Sequence, residues 1–321
     1  MKQSEQLAPI GMVIPVYNRA HTLPRTLDSI AAQTVMPSQI IIVDNGSTDS
    51  SKSVVSDRIA AFRQKHPEVI VKLIDESKPG ACAARNRGLQ EIAAPFTMFF
   101  DSDDIMFPSH VADFAKAIAE NPGIEIFGRD MWLEAPDGSR RRLYCHLTGG
   151  HRTTLFHHIF RASLSTQRIV ASTRLYREAG GWDEDLDGWN DFEIGVRLIL
   201  ARPKMMSLGG DPTVVGLSQA ESITGTSFSA HPQRWEKSLW KIRQILEKSD
   251  FAPEAVRWVD GRAMVLAAQY DSESPEGSSP LSESLRSRVE ALTDSPRRLR
   301  MIYRHQRRFG RLSWVVARIL L

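Results

Sequence analysis

Four strand-length apolar runs alternate with helix-length segments between residues 10 and 100, and this alternation constrains the fold more than any other feature of the chain. The runs are residues 10–17, 39–43, 69–74 and 96–100. They are nearly continuous in hydrophobicity, as expected of strands buried on both faces. After the first run, Thr22 is placed to cap a helix with Pro24 in its first turn and Leu23, Leu27, Ile30 and Ala31 along one side. Asp44-Asn45-Gly46-Ser47 stops the second run and opens a helix whose apolar side carries Val54, Ile59 and Phe62. Residues 80–94 form a third, small-residue helix. The order β-α-β-α-β-α-β predicts an α/β fold, a mostly parallel, Rossmann-like sheet flanked by helices.

Ligands of such sheets bind beyond the carboxyl ends of the strands. Three polar clusters fall at that edge: Pro15-Val16-Tyr17-Asn18, Asp44-Asn45-Gly46 and Asp101-Ser102-Asp103-Asp104. Packing alone would not place three carboxylates within four residues, because like charges repel. A hard divalent cation, Mn²⁺ or Mg²⁺, relieves that repulsion and keeps positions for water and phosphate. It would also stabilise a departing diphosphate. The bland alternative is a solvated acidic turn ahead of a helix starting at Ser109. Asp44 can accept a hydrogen bond from a ring N–H such as uracil offers, and Tyr17 can stack on the base. Arg85, in Gly80-Ala-Cys-Ala-Ala-Arg-Asn-Arg-Gly88, can reach base or phosphates. Taken singly, Asp44 reads equally well as a helix cap, Tyr17 as a core-edge aromatic and Arg85 as a surface charge. Their convergence on one edge favours a nucleotide pocket.

Beyond residue 100 the pattern predicts strands over 124–131 and 212–217 and helices over 191–201, 235–248 and 254–270. A linker over 271–280 and further helix over 281–321 follow, dividing the chain into a catalytic domain, 1–228, and a helical, basic region, 229–321. Residues 132–180 resist reading; an acceptor loop is expected within 140–170, where His146, His151, His157 and His158 lie. The chain of 321 residues is 42% hydrophobic and 25% charged, with no apolar run of spanning length and no apolar leader in its polar first residues. Cys82 and Cys145 lack metal-ligand spacing and read as free thiols of a cytoplasmic protein. The net charge of +3 is uneven, since residues 297–321 carry eight arginines and no acid. Phe309, Leu312, Trp314, Val315, Val316, Ile319 and Leu320 accompany them. That mixture suits a packed helical lid or peripheral contact with an anionic inner membrane face better than a phosphate track, so no nucleic-acid partner is expected.

Val13-Ile-Pro-Val-Tyr-Asn18, Ile41-Ile-Val-Asp-Asn-Gly-Ser-Thr-Asp49, Gly80 to Asn86 and Phe100-Asp-Ser-Asp-Asp104, in this order, resemble glycosyltransferase family 2 over roughly residues 8–220. The resemblance implies a GT-A fold and an inverting, metal-dependent hexosyl- or N-acetylhexosaminyl-type transferase of polysaccharide biosynthesis. Its donor would be a nucleotide sugar, UDP-sugar favoured, and its acceptor a glycan or lipid-linked hydroxyl. It places Pro15, Val16, Tyr17, Asn18, Asp44, Arg85, Asp101, Ser102 and Asp103 at the nucleotide sugar. It makes Asp103 the first choice of metal ligand, with Asp104 and Asp101 beside it in the D-x-D region. Asn45 stands where a second aspartate is usual. Trp189-Asn-Asp-Phe-Glu193 resembles the segment bearing the catalytic base, with Asn190 replacing its first acid. Asp191 is then the expected base and Glu193 the second choice. Asn45 and Asn190 also suggest an alternative, a relative that binds nucleotide sugar without turnover. A nucleotidyltransferase would want a Gly-rich, Lys/Arg-bearing loop after the first strand, and Pro15-Val16-Tyr17-Asn18 offers none.

Overall fold

The computed structural model describes residues 7–217 and 227–321. The polar start over residues 1–6 lies outside the described residues. In chain order the elements are β1 (Ala8–Val16), α1 (Leu23–Ala31), β2 (Pro37–Asp44), α2 (Ser51–Lys65), β3 (Ile70–Asp75), α3 (Ala81–Glu91) and β4 (Phe96–Phe99). There follow β5 (Ile105–Met106), α4 (His110–Glu120), β6 (Ile126–Gly128), β7 (Met131–Glu134), β8 (Arg140–Leu143), α5 (Gly150–Arg161), β9 (Ile169–Ser172) and α6 (Thr173–Glu178). The remainder are α7 (Asn190–Leu200), β10 (Met205–Ser207), β11 (Val214–Leu217), α8 (Pro232–Glu247), α9 (Glu254–Glu273), α10 (Pro280–Leu292), α11 (Pro296–Phe309) and α12 (Ser313–Leu320).

These elements belong to two compact units that interleave along the chain. One comprises Met1–Thr148, Ser163–Asp187 and Ala201–Gln219; the other comprises Gly149–Ala162, Gly188–Leu200 and Ala220–Leu321. The sequence division at residue 228 therefore differs from the division by compactness: α5 and α7 belong with the C-terminal helices.

The first unit holds both sheets. The larger runs β10-β6-β9-β4-β1-β2-β3, with β1, β2, β3 and β4 mutually parallel and β9 antiparallel between β4 and β6. Ile10, Met12, Val13 and Ile14 of β1 are all buried, which is why that run shows no alternation. In α3, a Cβ at Gly88 would lie 2.3 Å from Val13 Cγ1, so only glycine lets that helix sit this close to β1. The smaller sheet runs β5-β11-β7-β8. The strand expected over 124–131 is in fact two, β6 in the large sheet and β7 in the small one. Arg129 and Asp130 occupy the break and pair with Asp113 at 2.5 Å and Arg142 at 2.7 Å. Two adjacent charges inside an apolar run were the signal of that break.

The second unit is helical, with α9 at its centre. Trp258, Val259, Met264, Leu266 and Tyr270 of α9 are buried on several sides, against α5, α8, α10 and α11. The expected linker over 271–280 is shorter, because α9 continues to Glu273. Asp271 then accepts the Ser279 amide at 2.8 Å and the Tyr303 hydroxyl, fastening the turn. The helix expected over 281–321 is three helices, interrupted before Pro296 and at Gly310, whose φ is +63°. The expected acceptor loop over 140–170 contains α5, and its His157 and His158 are helix-interior residues. His158 Nε2 lies 2.9 Å from the Phe192 carbonyl oxygen, and both histidines are buried. No described helix is long and apolar enough to cross a membrane.

Candidate active site

The loops after β1 and β2 are latched to each other at the carboxyl edge of the large sheet. Asn18, held at φ +49°, accepts the Thr48 amide at 2.8 Å through its side-chain oxygen, and its own amide donates to Ser47 Oγ at 3.1 Å. The Arg19 amide donates to Ser51 Oγ at 2.7 Å, and the Ala20 amide to Asp49 at 3.1 Å. Nothing in the local sequence announces this latch. It exists because parallel pairing of β1 with β2 brings both strand ends to one edge. Pro15 and Val16 close β1, and Tyr17 emerges from it 57% exposed, which excludes a core-edge role for its ring.

Asp44, the last residue of β2, is buried. Its Oδ2 accepts the Ser47 amide at 3.2 Å, while Oδ1 is out of solvent contact with no hydrogen-bond partner among the described residues. A buried acceptor without a donor is unfavourable unless a ligand supplies one. Asn45 has a structural reason to be an amide. Its Nδ2 donates to the Glu76 and Lys78 carbonyls at 3.0 and 2.8 Å, and its Oδ1 accepts the Gly80 amide at 2.7 Å. An aspartate could accept from Gly80 but could donate to neither carbonyl. Asn45 is thus a brace that fixes the start of α3.

From α3, Arg85 points inward and is buried, not a surface charge. Its guanidinium stacks 4.5 Å from the Trp182 ring centroid and donates to Asp101 Oδ1 at 2.8 Å. Asp101 Oδ2 accepts Gln167 Nε2 at 2.5 Å. Each Asp101 oxygen therefore accepts a protein donor. Gln167 and Trp182 were missed from sequence: the first lies in the stretch that resisted reading, and an isolated Trp carries no positional signal.

Ser102 is buried, and its carbonyl accepts from the Thr26 hydroxyl at 3.1 Å. Asp103 keeps its side chain partly accessible, with Arg19 Nε 3.5 Å away. Burial, then the negative charge of Asp101, pushes the Asp103 carboxyl above its usual range. Asp104 is buried and accepts the Leu217 amide at 3.0 Å. Burial first, then Asp101 and Asp103, push it well above that range. A solvated acidic turn would not show such burial. Among the described residues no group of three or more His, Cys, Asp or Glu side chains is placed to hold a metal ion. Asp103 and Asp104 could offer one or two carboxylates to a cation. That fits a magnesium-like ion completed by water and substrate phosphate, and not an all-protein cage.

In the helical unit, Asp191 lies half-buried in the first turn of α7, where its Oδ1 accepts the Phe192 amide at 2.9 Å. Trp189, at φ +46°, turns the chain into that helix, and its carbonyl accepts the Glu193 amide at 3.1 Å. Glu193 is 1% exposed and gripped through both oxygens by Arg197 at 2.7 and 2.6 Å. Both Glu193 oxygens are thus engaged within α7, whereas Asp191 Oδ1 accepts a backbone amide. Asn190 opens the same helix.

The family model described as "Glycosyl transferase family 2" matches residues 12–177. An uncharacterised glycosyltransferase of Bacillus subtilis, YwdF, is 29% identical over 198 residues, covering 59% of this chain and 67% of that protein. Alignments with two Streptococcus pneumoniae glycosyltransferases, GlyA and GlyG, span only 19% and 51% of their lengths. Among solved structures, residues 1–349 of Staphylococcus aureus TarS in complex with UDP-GlcNAc superpose with a TM-score of 0.66 at 17% identity, covering 97% of this chain and 90% of that one. Pyrobaculum calidifontis mannosyltransferase PcManGT, in complex with GDP-Man and Mn²⁺, gives 0.55 at 18% identity, covering 98% and 87%. At such identities the structural likeness establishes the GT-A fold. With the family match over more than half its length, the chain belongs to glycosyltransferase family 2 and is a glycosyltransferase.

Proposed function

We propose that this enzyme transfers a hexosyl or N-acetylhexosaminyl group from a nucleoside diphosphate sugar, UDP-sugar favoured, to a hydroxyl of a glycan or lipid-linked acceptor, with inversion at the anomeric carbon. The observation that carries the reading is the buried, unsatisfied Asp44 Oδ1 beside the exposed Tyr17 ring. Uracil offers a ring N–H to the one and a flat face to the other. The UDP-GlcNAc of the TarS complex supports the choice of donor class.

Within this reading Asp191 accepts the proton of the acceptor hydroxyl as its oxygen bonds to the anomeric carbon. The bond to the diphosphate breaks on the opposite side. Asp103, with Asp104 adjoining, would hold Mn²⁺ or Mg²⁺. When bound, that ion neutralises charge on the departing diphosphate. The Mn²⁺ of the PcManGT complex supports such a cofactor. In this reading Arg85, braced by Asp101 and Trp182, meets base or phosphate. Asn45, whose amide is needed as a brace, gives no support to the reading of a relative without turnover.

The test is a thermal-shift panel of UDP, GDP, CDP and TDP with and without Mn²⁺. A ligand that binds only the folded protein raises stability with concentration. The expected outcome is a Mn²⁺-dependent shift for UDP, reduced in Asp44→Asn and lost in Asp103→Asn. A shift for GDP alone would replace the base; none for any nucleotide would sink the donor assignment.

We further propose that the outer face of α11 and α12 lies on an anionic membrane, which suits a lipid-linked acceptor and a position at the cytoplasmic face. All eight arginines of residues 297–321 are exposed, as are Met301, Phe309, Leu312 and Ile319. Leu299, Ile302 and Tyr303 occupy the opposite, buried side of α11; Arg300 also pairs with Glu290 and Arg307 with the Gly277 carbonyl, while the other arginines and the apolar tips remain exposed toward lipid. Sedimentation with phosphatidylglycerol vesicles, but not phosphatidylcholine ones, is expected. Its absence at low salt would rule the contact out.

A further inference from the structure

The acids of α7, α8 and α9 already have partners, whereas Arg262 of α9 has no acid paired to it among the described residues. On α9, Glu254 pairs with Arg152, Asp260 with Arg243 at 2.9 Å, and Asp271 with the Ser279 amide and Tyr303 hydroxyl. Glu273 takes the Phe228 and Ser229 amides at 2.9 and 2.7 Å. On α8, Glu247 pairs with Arg243, and Glu236 accepts the Tyr270 hydroxyl at 3.4 Å. On α7, Glu193 is gripped by Arg197 and Asp191 accepts the Phe192 amide. Helix α5 carries no acid. Arg262, midway along α9, has no hydrogen bond or ion pair among the described residues, and its Nη1 is out of solvent contact.

Its guanidinium meets a ring: the guanidinium carbon lies 4.3 Å from the Trp189 ring centroid. Trp189 is itself held firmly. Its backbone turns at φ +46°, and its ring packs against Phe192, Phe228 and Trp235 at centroid distances of 6.0, 5.9 and 5.4 Å. Stacking fixes the plane of the guanidinium and leaves its edge N–H groups for acceptors in that plane. Burial, with no carboxylate opposing it, draws Arg262 down to about 10. A guanidinium withdrawn from water without an anion is unfavourable, so a protein that keeps one has a ligand to offer it. The side chain retains partial solvent access, which gives such a ligand a way in.

We propose that Arg262, stacked on Trp189, binds a phosphoryl oxyanion of a substrate next to the segment that carries Asp191. The proposal rests on the transferase reading only for the source of that phosphate, which is either the donor diphosphate or a phosphorylated acceptor. The contact is electrostatic and bidentate; no bond is made or broken by it.

The test uses the full chain, wild type, Arg262→Lys and Arg262→Met, titrated calorimetrically with uridine, UDP, inorganic phosphate, and pyrophosphate in the presence of saturating UDP. If the donor diphosphate is the ligand, UDP binds about tenfold to a hundredfold more weakly to Arg262→Met, uridine binds unchanged, and Arg262→Lys recovers part of the loss. If the acceptor bears the phosphate, UDP binding is unchanged and binding of phosphate or pyrophosphate to the UDP complex is lost. In both cases the ligand-free Arg262→Met melts no lower than wild type, because a stranded charge has been removed. Unchanged affinity for every anion in both folded variants overturns the proposal. Failure of wild type to bind UDP or uridine, with phosphate binding still dependent on Arg262, would sink the transferase reading and leave this site standing.

Discussion

The two units treat their carboxylates in opposite ways. In the helical unit, acids are matched to donors: Glu193 with Arg197, Asp260 with Arg243, Asp271 with Tyr303 and the Ser279 amide. At the carboxyl edge of the sheet, Asp101, Asp103 and Asp104 are gathered together, and burial and mutual charge hold two of them above their usual range. Matched acids belong to folding, because a buried pair loses heavily when one partner is removed. Gathered acids oppose folding and persist where a ligand compensates for them. By the same reasoning Arg262 stands apart, as a partly buried cation of α9 with no acid paired to it among the described residues.

The largest effect expected is in turnover. Asp191→Asn should slow sugar transfer by roughly 10²–10⁴-fold, the usual contribution of a general base, while leaving the UDP thermal shift intact. Loss of the shift together with activity would mean that Asp191 serves the fold of α7 instead. Next comes a matched acid: Asp260→Ala removes one of the two carboxylates that hold Arg243, leaving Glu247, and should cost about 1–3 kcal/mol in urea unfolding. A cost below about 1 kcal/mol would erase the contrast between the units, since that is what a surface pair is worth.

Acid should weaken the sheet unit through His110. Its Nδ1 sits 2.7 Å from Thr213 Oγ1, and burial, with Arg129 nearby, lowers its pKa from 6.5 to about 3. The folded protein keeps this ring neutral, while the unfolded chain protonates it below its ordinary value. The stabilisation is therefore full above about pH 6.5 and is lost as pH falls toward the depressed value, at about 1.4 kcal/mol per unit. Between about pH 7 and pH 5 wild type should lose roughly 2 kcal/mol more than His110→Gln in urea titrations. Equal losses would show that the ring is not the titrating group.

Asn45→Asp should cost about 1–3 kcal/mol by leaving the Glu76 and Lys78 carbonyls without their donor. A neutral result would return this position to the nucleotide site, where an acid is usual in the family it resembles. The smallest effect sharpens the comparison most. In metal-free protein, Asp103→Asn should leave stability unchanged or raise it by up to about 1 kcal/mol, because it relieves repulsion among gathered acids. Destabilisation there would make Asp103 a matched acid like those of the helical unit.

The parallel sheet and its edge were legible because β1, β2 and β4 are buried on both faces, and continuous apolar runs ending in polar clusters record that burial directly. The arginine run over 297–321 was legible as composition, since solvated charge needs no partner to be recognised. Several features were not legible. The burial of Arg85 against Trp182, the grip of Gln167 on Asp101 and the brace made by Asn45 each join residues at least 31 positions apart. The break between β6 and β7, the placing of α5 and α7 among the C-terminal helices and the commitment of Glu193 to Arg197 likewise depended on packing. By itself the sequence determined which residues stand at strand ends, because period and burial are local properties of a chain. Only the tertiary structure decided which carboxylates are already satisfied and which are not, because a hydrogen-bond partner is a matter of proximity in space, and that is fixed only when distant segments pack.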